Sequence, residues 1–155
     1  MVGAAFRPKP TIVAPAQAKV MVIEDNADSM DLALLLLRER VNVAYCNARA
    51  SGEAFFNWLS SPQVQQNPSL GMLDLILLDI RIPRENGYMV LQKLHVLPDF
   101  KRTKIVAMSA YSSREDVERM RAAGFDGFVA KPVSVKTFPD YIVRILRGEA
   151  IWDIY

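Results

Sequence analysis

The chain has 155 residues, 51% hydrophobic and 23% charged, which suits one globular domain with a real core. Nineteen basic and seventeen acidic residues leave a net charge of +2, so overall charge gives no argument for nucleic acid or a membrane surface. A single cysteine, Cys46, excludes an intrachain disulfide and a cysteine metal cluster and is compatible with a reducing cytosol, and a single histidine, His95, makes a Ser-His-Asp triad a poor choice.

In chain order, "MVGAAFRPKPTIVAPAQAK" lacks the charge-then-apolar order of a signal peptide. Pro8, Pro10 and Pro15 interrupt it, and residues 1–18 are expected to form a flexible arm. Val20 to Ile23 reads as a short buried strand that runs into Glu24 and Asp25. Residues 26–41 turn helical, with Asn26 or Asp28 as cap and Leu32, Leu35 and Leu36 on one face. "NVAYCN" predicts a second strand that ends in Cys46 and Asn47. "ASGEAFFNWLSS" predicts a second helix, and "PQVQQNPSLG" a polar loop. "LDLILLD" is the third strand, "GYMVLQKLHVL" the third helix, and "TKIVAMSA" the fourth strand. "SREDVERMRAAG" is the fourth helix, with Gly124 as its C-cap. "FDGFVAKP" and "SVKTFPDYIVRILRG" complete a fifth pair. No apolar run approaches the roughly 18–20 residues of a membrane span.

Strand and helix alternate five times, and four of the strands are nearly continuous apolar runs. A parallel sheet covered by helices on both faces demands that pattern. The predicted architecture is an α/β, doubly wound, five-stranded parallel sheet, which binds ligands at the carboxyl ends of its strands. At those ends stand Glu24 and Asp25, Asp79, Ser109, and Lys131 followed by Pro132. Turn chemistry accounts for any one of them. It does not account for a set confined to one edge.

Two carboxylates about 5 Å apart at an effective dielectric of about 20 repel by roughly 3 kcal/mol. Glu24, Asp25 and Asp79 therefore call for a cation, and an oxygen-only donor set suits Mg²⁺. A lysine and a hydroxyl beside that cation form a socket for an anion with several oxygens. Phosphoryl transfer needs such a socket, with Asp79 as the carboxylate nucleophile.

These residues resemble the receiver domain of the two-component response-regulator family, over about Lys19 to Arg147. The marks are "IEDN" at 23–26, "LLDIRIPRENG" at 77–87, "AMSA" at 107–110 and "AKP" at 130–132. Pro83 lies four after Asp79, Gly87 eight after, Ser109 thirty after and Lys131 fifty-two after, as in the family pattern. The resemblance implies a flavodoxin-like receiver fold over 19–147, followed by an apolar tail over 148–155. It implies phosphorylation of Asp79 by a histidine kinase or histidine phosphotransfer protein. Mg²⁺ would be held by Glu24, Asp25, Asp79 and the backbone carbonyl of Arg81, and the phosphoryl oxygens by Ser109 and Lys131. Phe128 stands where the family carries its aromatic switch residue, and the Lys131–Pro132 bond is expected to be cis. Glu24 for the commoner Asp, Ser109 for Thr and Phe128 for Tyr are departures that leave the chemistry intact.

After the fifth helix only "EAIWDIY" remains, too short for a DNA-binding domain. The expectation is a cytoplasmic, stand-alone receiver that catalyses only its own phosphorylation and dephosphorylation. It would act on a downstream protein, without direct nucleic-acid binding or membrane insertion. The face of helix four, strand five and helix five, about Ser112 to Arg147, is the expected partner or homodimer surface. The tail is a second candidate, against the alternative that it packs on its own domain. Two other readings are a receiver-like interaction domain that works without phosphorylation and a phosphatase of the haloacid-dehalogenase type. The latter usually carries an acid two residues after its nucleophile, where this chain has Arg81.

Overall fold

The computed structural model describes residues 12–82, 84–110 and 113–153. The expected arm as far as residue 11, Pro83, Ser112, Ile154 and Tyr155 lie outside the described residues. The strands are β1 (Lys19–Ile23), β2 (Tyr45–Arg49), β3 (Leu75–Asp79), β4 (Lys104–Ser109) and β5 (Gly127–Ala130). The helices are α1 (Ala27–Leu36), α2 (Gly52–Leu59), α3 (Gly87–His95), α4 (Arg114–Ala123) and α5 (Phe138–Leu146). All strand pairs are parallel, in the order β2-β1-β3-β4-β5. The order reverses between β1 and β3, which makes their carboxyl ends the switch point where ligands bind.

Strand residues alternate between two cores. Met21, Ile23, Ile76 and Leu78 join Phe55, Trp58, Leu91 and Val117 of α2, α3 and α4 on one face. Val20, Val22, Leu75 and Leu77 join Leu36, Phe138 and Ile142 of α1 and α5 on the other. Both faces are dry, so the strands are continuously apolar. Leu75, Ile76, Leu77 and Leu78 are fully buried and together contribute roughly 6–12 kcal/mol. That exceeds the few kcal/mol needed to hold the nearly buried carboxylate of Asp79 at the end of the same strand.

Side chains fix the starts of α1 to α4. Asn26, Ser51 and Asn86 accept the amides of Ser29, Ala54 and Met89 at 2.9–3.0 Å. Ser113 and Asp116 close a reciprocal capping box on α4, and Gly124 ends that helix at φ 106°. A Cβ at Gly124 would meet the His95 ring at 2.6 Å, so the lone histidine packs against a helix end.

The structure departs from the sequence reading in five places. The first helix stops at Leu36 and continues as a wider π-type turn over Leu37–Val41, after which Asn42 takes φ 60°. Asn tolerates that left-handed conformation. Asn42, expected to open β2, takes this conformation instead, and the strand runs over 45–49 and ends at Arg49, not at Cys46 and Asn47. The buried stripe of α1 is Ala33, Leu36 and Leu37, and Leu35 is exposed. The expected polar loop holds two short helical turns, Pro62–Gln66 and Pro68–Gly71, the first anchored by buried Val64. Folded structure also reaches back before β1: Val13 N–H donates to Leu146 O at 2.8 Å, and Ala18 is fully buried. Among the described residues no helix is long and apolar enough to cross a membrane.

Candidate functional site

Strand register brings the site residues together. Ile23 is level with Leu78, Asp79 with Met108, and Ser109 with Ala130. Glu24, Asp79, Ser109 and Lys131 therefore emerge from four adjacent strands at one edge. Carboxylate oxygens of Glu24, Asp25 and Asp79 lie within 4.8 Å of one another, with Glu24 and Asp79 buried and Asp25 exposed. Lys131 Nζ donates to Glu24 Oε1 at 2.5 Å and to Asp79 Oδ2 at 2.6 Å. The remaining oxygens also have partners: Asn26 N–H donates to Glu24 Oε2 at 3.1 Å and Arg81 N–H to Asp79 Oδ1 at 2.9 Å.

The electrostatics follow from this packing. Burial, with Asp79 beside it, pushes the Glu24 carboxyl up to about 7, although Lys131 and the Asn26 amide pull it down. Burial opposes the charge on Lys131, but its hydrogen bonds and attraction to Asp79 and Glu24 outweigh that and raise its pKa. One ammonium faces three acids, which leaves an oxygen-only site with room for further positive charge.

Ser109 is buried, and its carbonyl accepts Lys131 N–H at 2.8 Å. The Lys131–Pro132 peptide is cis. Gly87 has a steric reason for its place: a Cβ there would lie 2.8 Å from Asp79 O and 2.9 Å from Ile80 Cα. Its N–H donates to Ile80 O at 2.8 Å, so α3 starts hard against the end of β3. Phe128 is fully buried within the core below α4. A cavity of about 180 Å³ opens beside Glu24 and Lys131, lined by Asp28, Ser29, Met108 and Pro132.

Other aspartates show what turn chemistry looks like in this fold. Asp74 accepts Lys19 N–H at 2.8 Å and Asp126 accepts Ile105 N–H at 2.9 Å, both at the amino ends of strands. Asp79 differs by standing at the carboxyl end, against a second acid and a lysine. Arg49, at the end of β2, stacks its guanidinium 5.4 Å from the Trp58 ring centroid and serves packing. Sequence reasoning did not find how Ile151–Asp153 docks on β5 beside Phe128. The apolar residues of the tail and the glycine at 127 were the available signals.

The family model for the response regulator receiver domain matches residues 20–143. The polar-differentiation response regulator DivK of Brucella ovis is 29% identical over 131 residues, 84% of this chain and 97% of DivK. The signal transduction histidine-protein kinase BarA of Escherichia coli K12 is 26% identical over 133 residues, 85% of this chain. The chain spans only 13% of BarA. Among solved structures, the chemotaxis response regulator CheY4 of Vibrio cholerae superposes with a TM-score of 0.70 at 19% identity, over 84% of this chain and 99% of CheY4. A match over most of the chain, on the fold and beside the acid cluster described above, places it: the chain belongs to the response regulator receiver domain family, the phosphorylation-dependent switch module of two-component signalling.

Proposed function

We propose that the chain accepts a phosphoryl group on Asp79 from a histidine kinase or histidine phosphotransfer protein and transmits it through altered protein contacts. The observation that carries this reading is Lys131 Nζ within 2.6 Å of both Glu24 and Asp79, with Asp25 beside them. A carboxylate oxygen of Asp79 attacks phosphorus and forms an acyl phosphate. The bond to the donor nitrogen breaks, its electron pair stays on the imidazole, and that ring retains or takes up a proton. Lys131, already held between two acids, is in reach of the transferred oxygens, and the Ser109 hydroxyl is the further donor.

Glu24, Asp25, Asp79 and the Arg81 carbonyl are the oxygens that would hold Mg²⁺. The ammonium of Lys131 supports that fit, because a cation is already accommodated against the two buried acids. A bound Mg²⁺ supplies positive charge against the oxygens of the transferring group. Gly87 and Pro132 shape the edge, and Pro83 is assigned the same role from its spacing. Receiver chemistry is assigned to 19–147, as self-phosphorylation and self-dephosphorylation without a separate substrate. The assigned setting is the cytoplasm, without direct nucleic-acid contact. Output is assigned to Ser109 and Phe128, acting on the α4–β5–α5 face, where a downstream protein or a second copy would bind.

The test is intact mass after incubation with acetyl phosphate and Mg²⁺. One phosphoryl group is expected on the wild type, and none on Asp79→Asn or in excess chelator. A fully labelled Asn variant would overturn the assignment.

A further inference from the structure

The segment after α5 returns to the sheet and lies along the free edge of β5, parallel to it. Phe128 N–H donates to Ile151 O at 2.8 Å, Asp153 N–H donates to Phe128 O at 3.0 Å, and Trp152 bridges Phe128. The Asp153 carboxylate takes a further edge donor, Ala130 N–H, at 3.1 Å. We propose that this edge is a binding groove for an extended segment of a partner protein with apolar, aromatic and acidic residues in succession. Ile151–Asp153 is then its resident self-ligand. The inference does not rest on phosphorylation of Asp79.

Three features make the edge a groove rather than a bare strand. Gly127 is a notch: a Cβ there would lie 2.7 Å from Ile151 O, so the absent side chain admits another backbone. The occupant straddles the sheet as a strand does, with Ile151 in the core under α1 and α5 and Trp152 against the opposite core. The walls recognise side chains: the Arg121 guanidinium of α4 lies 4.6 Å from the Trp152 ring centroid, and the Asp153 carboxylate lies near enough to Tyr141 of α5 to raise the pKa of its hydroxyl, after burial. Backbone pairing provides affinity, and the alternating pockets provide selectivity, as in strand addition to a sheet edge.

The resident segment is suited to exchange. Residues 147–150 join it to α5, with Gly148 at φ 97° in the turn. Among the described residues it holds the strand through one bridge and a few hydrogen bonds, which places it at the low-stability end of the fold. Tethering supplies an effective concentration on the order of millimolar, so it occupies the groove despite a small contact. A partner segment of the same chemistry, held by further contacts of its own, displaces it.

The experiment uses the full chain carrying Ile151→Ala and Trp152→Ala, labelled for NMR, with the capped peptide Gly-Glu-Ala-Ile-Trp-Asp added in trans. Amide shifts at Gly127, Phe128 and Ala130 that saturate with this peptide are expected. A scrambled peptide should cause none, and adding Arg121→Ala should weaken binding about threefold. The unmodified chain should bind the peptide at least about tenfold more weakly, because its own tail competes. Absence of these shifts, or equal shifts with the scrambled peptide, overturns the proposal. So does a tail-exchanged dimer, seen in sedimentation in place of peptide binding. A second measurement needs no variant: the Phe128 amide of the unmodified chain should exchange at least about tenfold faster than those of Ile76 and Ala107, through local opening. Equal protection would mean a fused sixth strand and would also overturn it.

Discussion

Lys131 Nζ lies 2.6 Å from Asp79 Oδ2, across 52 residues of sequence. The same ammonium touches Glu24, so a single cation holds two buried acids at the carboxyl edge of the sheet. Asp25 adds a third acid from the exposed side. In this cluster three acids share one ammonium.

Glu24 reports that imbalance through pH. Its folded-state pKa is raised from 4.5 to about 7, chiefly by burial. Between those values the folded chain keeps a proton that the unfolded chain has lost. Glu24 therefore contributes stability below this window, and the contribution is lost as pH rises through it. In chelator, urea unfolding should show the wild type losing on the order of 1–3 kcal/mol between about pH 5 and pH 8 relative to Glu24→Gln. Parallel pH curves for the two proteins would contradict this.

Metal addition should act in the opposite sense. Mg²⁺ at about a hundred times its dissociation constant should stabilise the wild type by about 2.7 kcal/mol, seen as a rise in melting temperature. Asp25 presents its carboxylate to solvent, whereas Glu24 is tied to Lys131 and the Asn26 amide. Asp25→Ala should therefore remove most of the rise, and Glu24→Ala only part of it. Equal losses in calorimetric titration would argue against direct ligation by Asp25.

Gly87→Ala tests the close approach of α3 to β3. The new methyl must move away from Asp79 O and Ile80 Cα, both backbone and neither able to yield cheaply. A loss of about 1–3 kcal/mol and slower labelling of Asp79 by acetyl phosphate are expected. Gly71→Ala is the control. Its nearest neighbour is a Val64 methyl at 3.3 Å, and it should cost less and leave labelling unchanged.

Ser109→Ala separates phosphate acceptance from output. Ser109 is buried beside the site, and Phe128 is buried on the neighbouring strand. The variant should still gain one phosphoryl mass. With beryllofluoride, the wild type should change amide exchange across residues 113–147, and the variant should change much less. Unchanged exchange in the wild type, or equal change in both, would break the route through Ser109 and Phe128.

The convergence of the candidate residues was legible in the sequence because each of them stands at the end of a strand, and strands buried on both faces declare themselves as apolar runs. Leu75–Leu78 points to Asp79 in this way, and Val20–Ile23 points to Glu24 and Asp25. Parallel topology then brings those ends to one edge without further information. The tertiary structure alone decided matters that depend on a neighbour outside the local period. Leu35 is exposed because the core that receives this helix, shared with β1, β2 and α5, takes Ala33, Leu36 and Leu37, and a run of four leucines does not say which of them faces it. Gly87 is tight because the backbone at the end of β3 lies within 3 Å of its missing Cβ. The tail docks because β5 is the last strand of the sheet, its outer backbone groups take their partners from Ile151–Asp153, and Gly127 leaves space beside them. Backbone pairing at a free edge requires little of side-chain pattern, so the apolar residues of the tail pointed to packing on the domain but not to the strand they pair with.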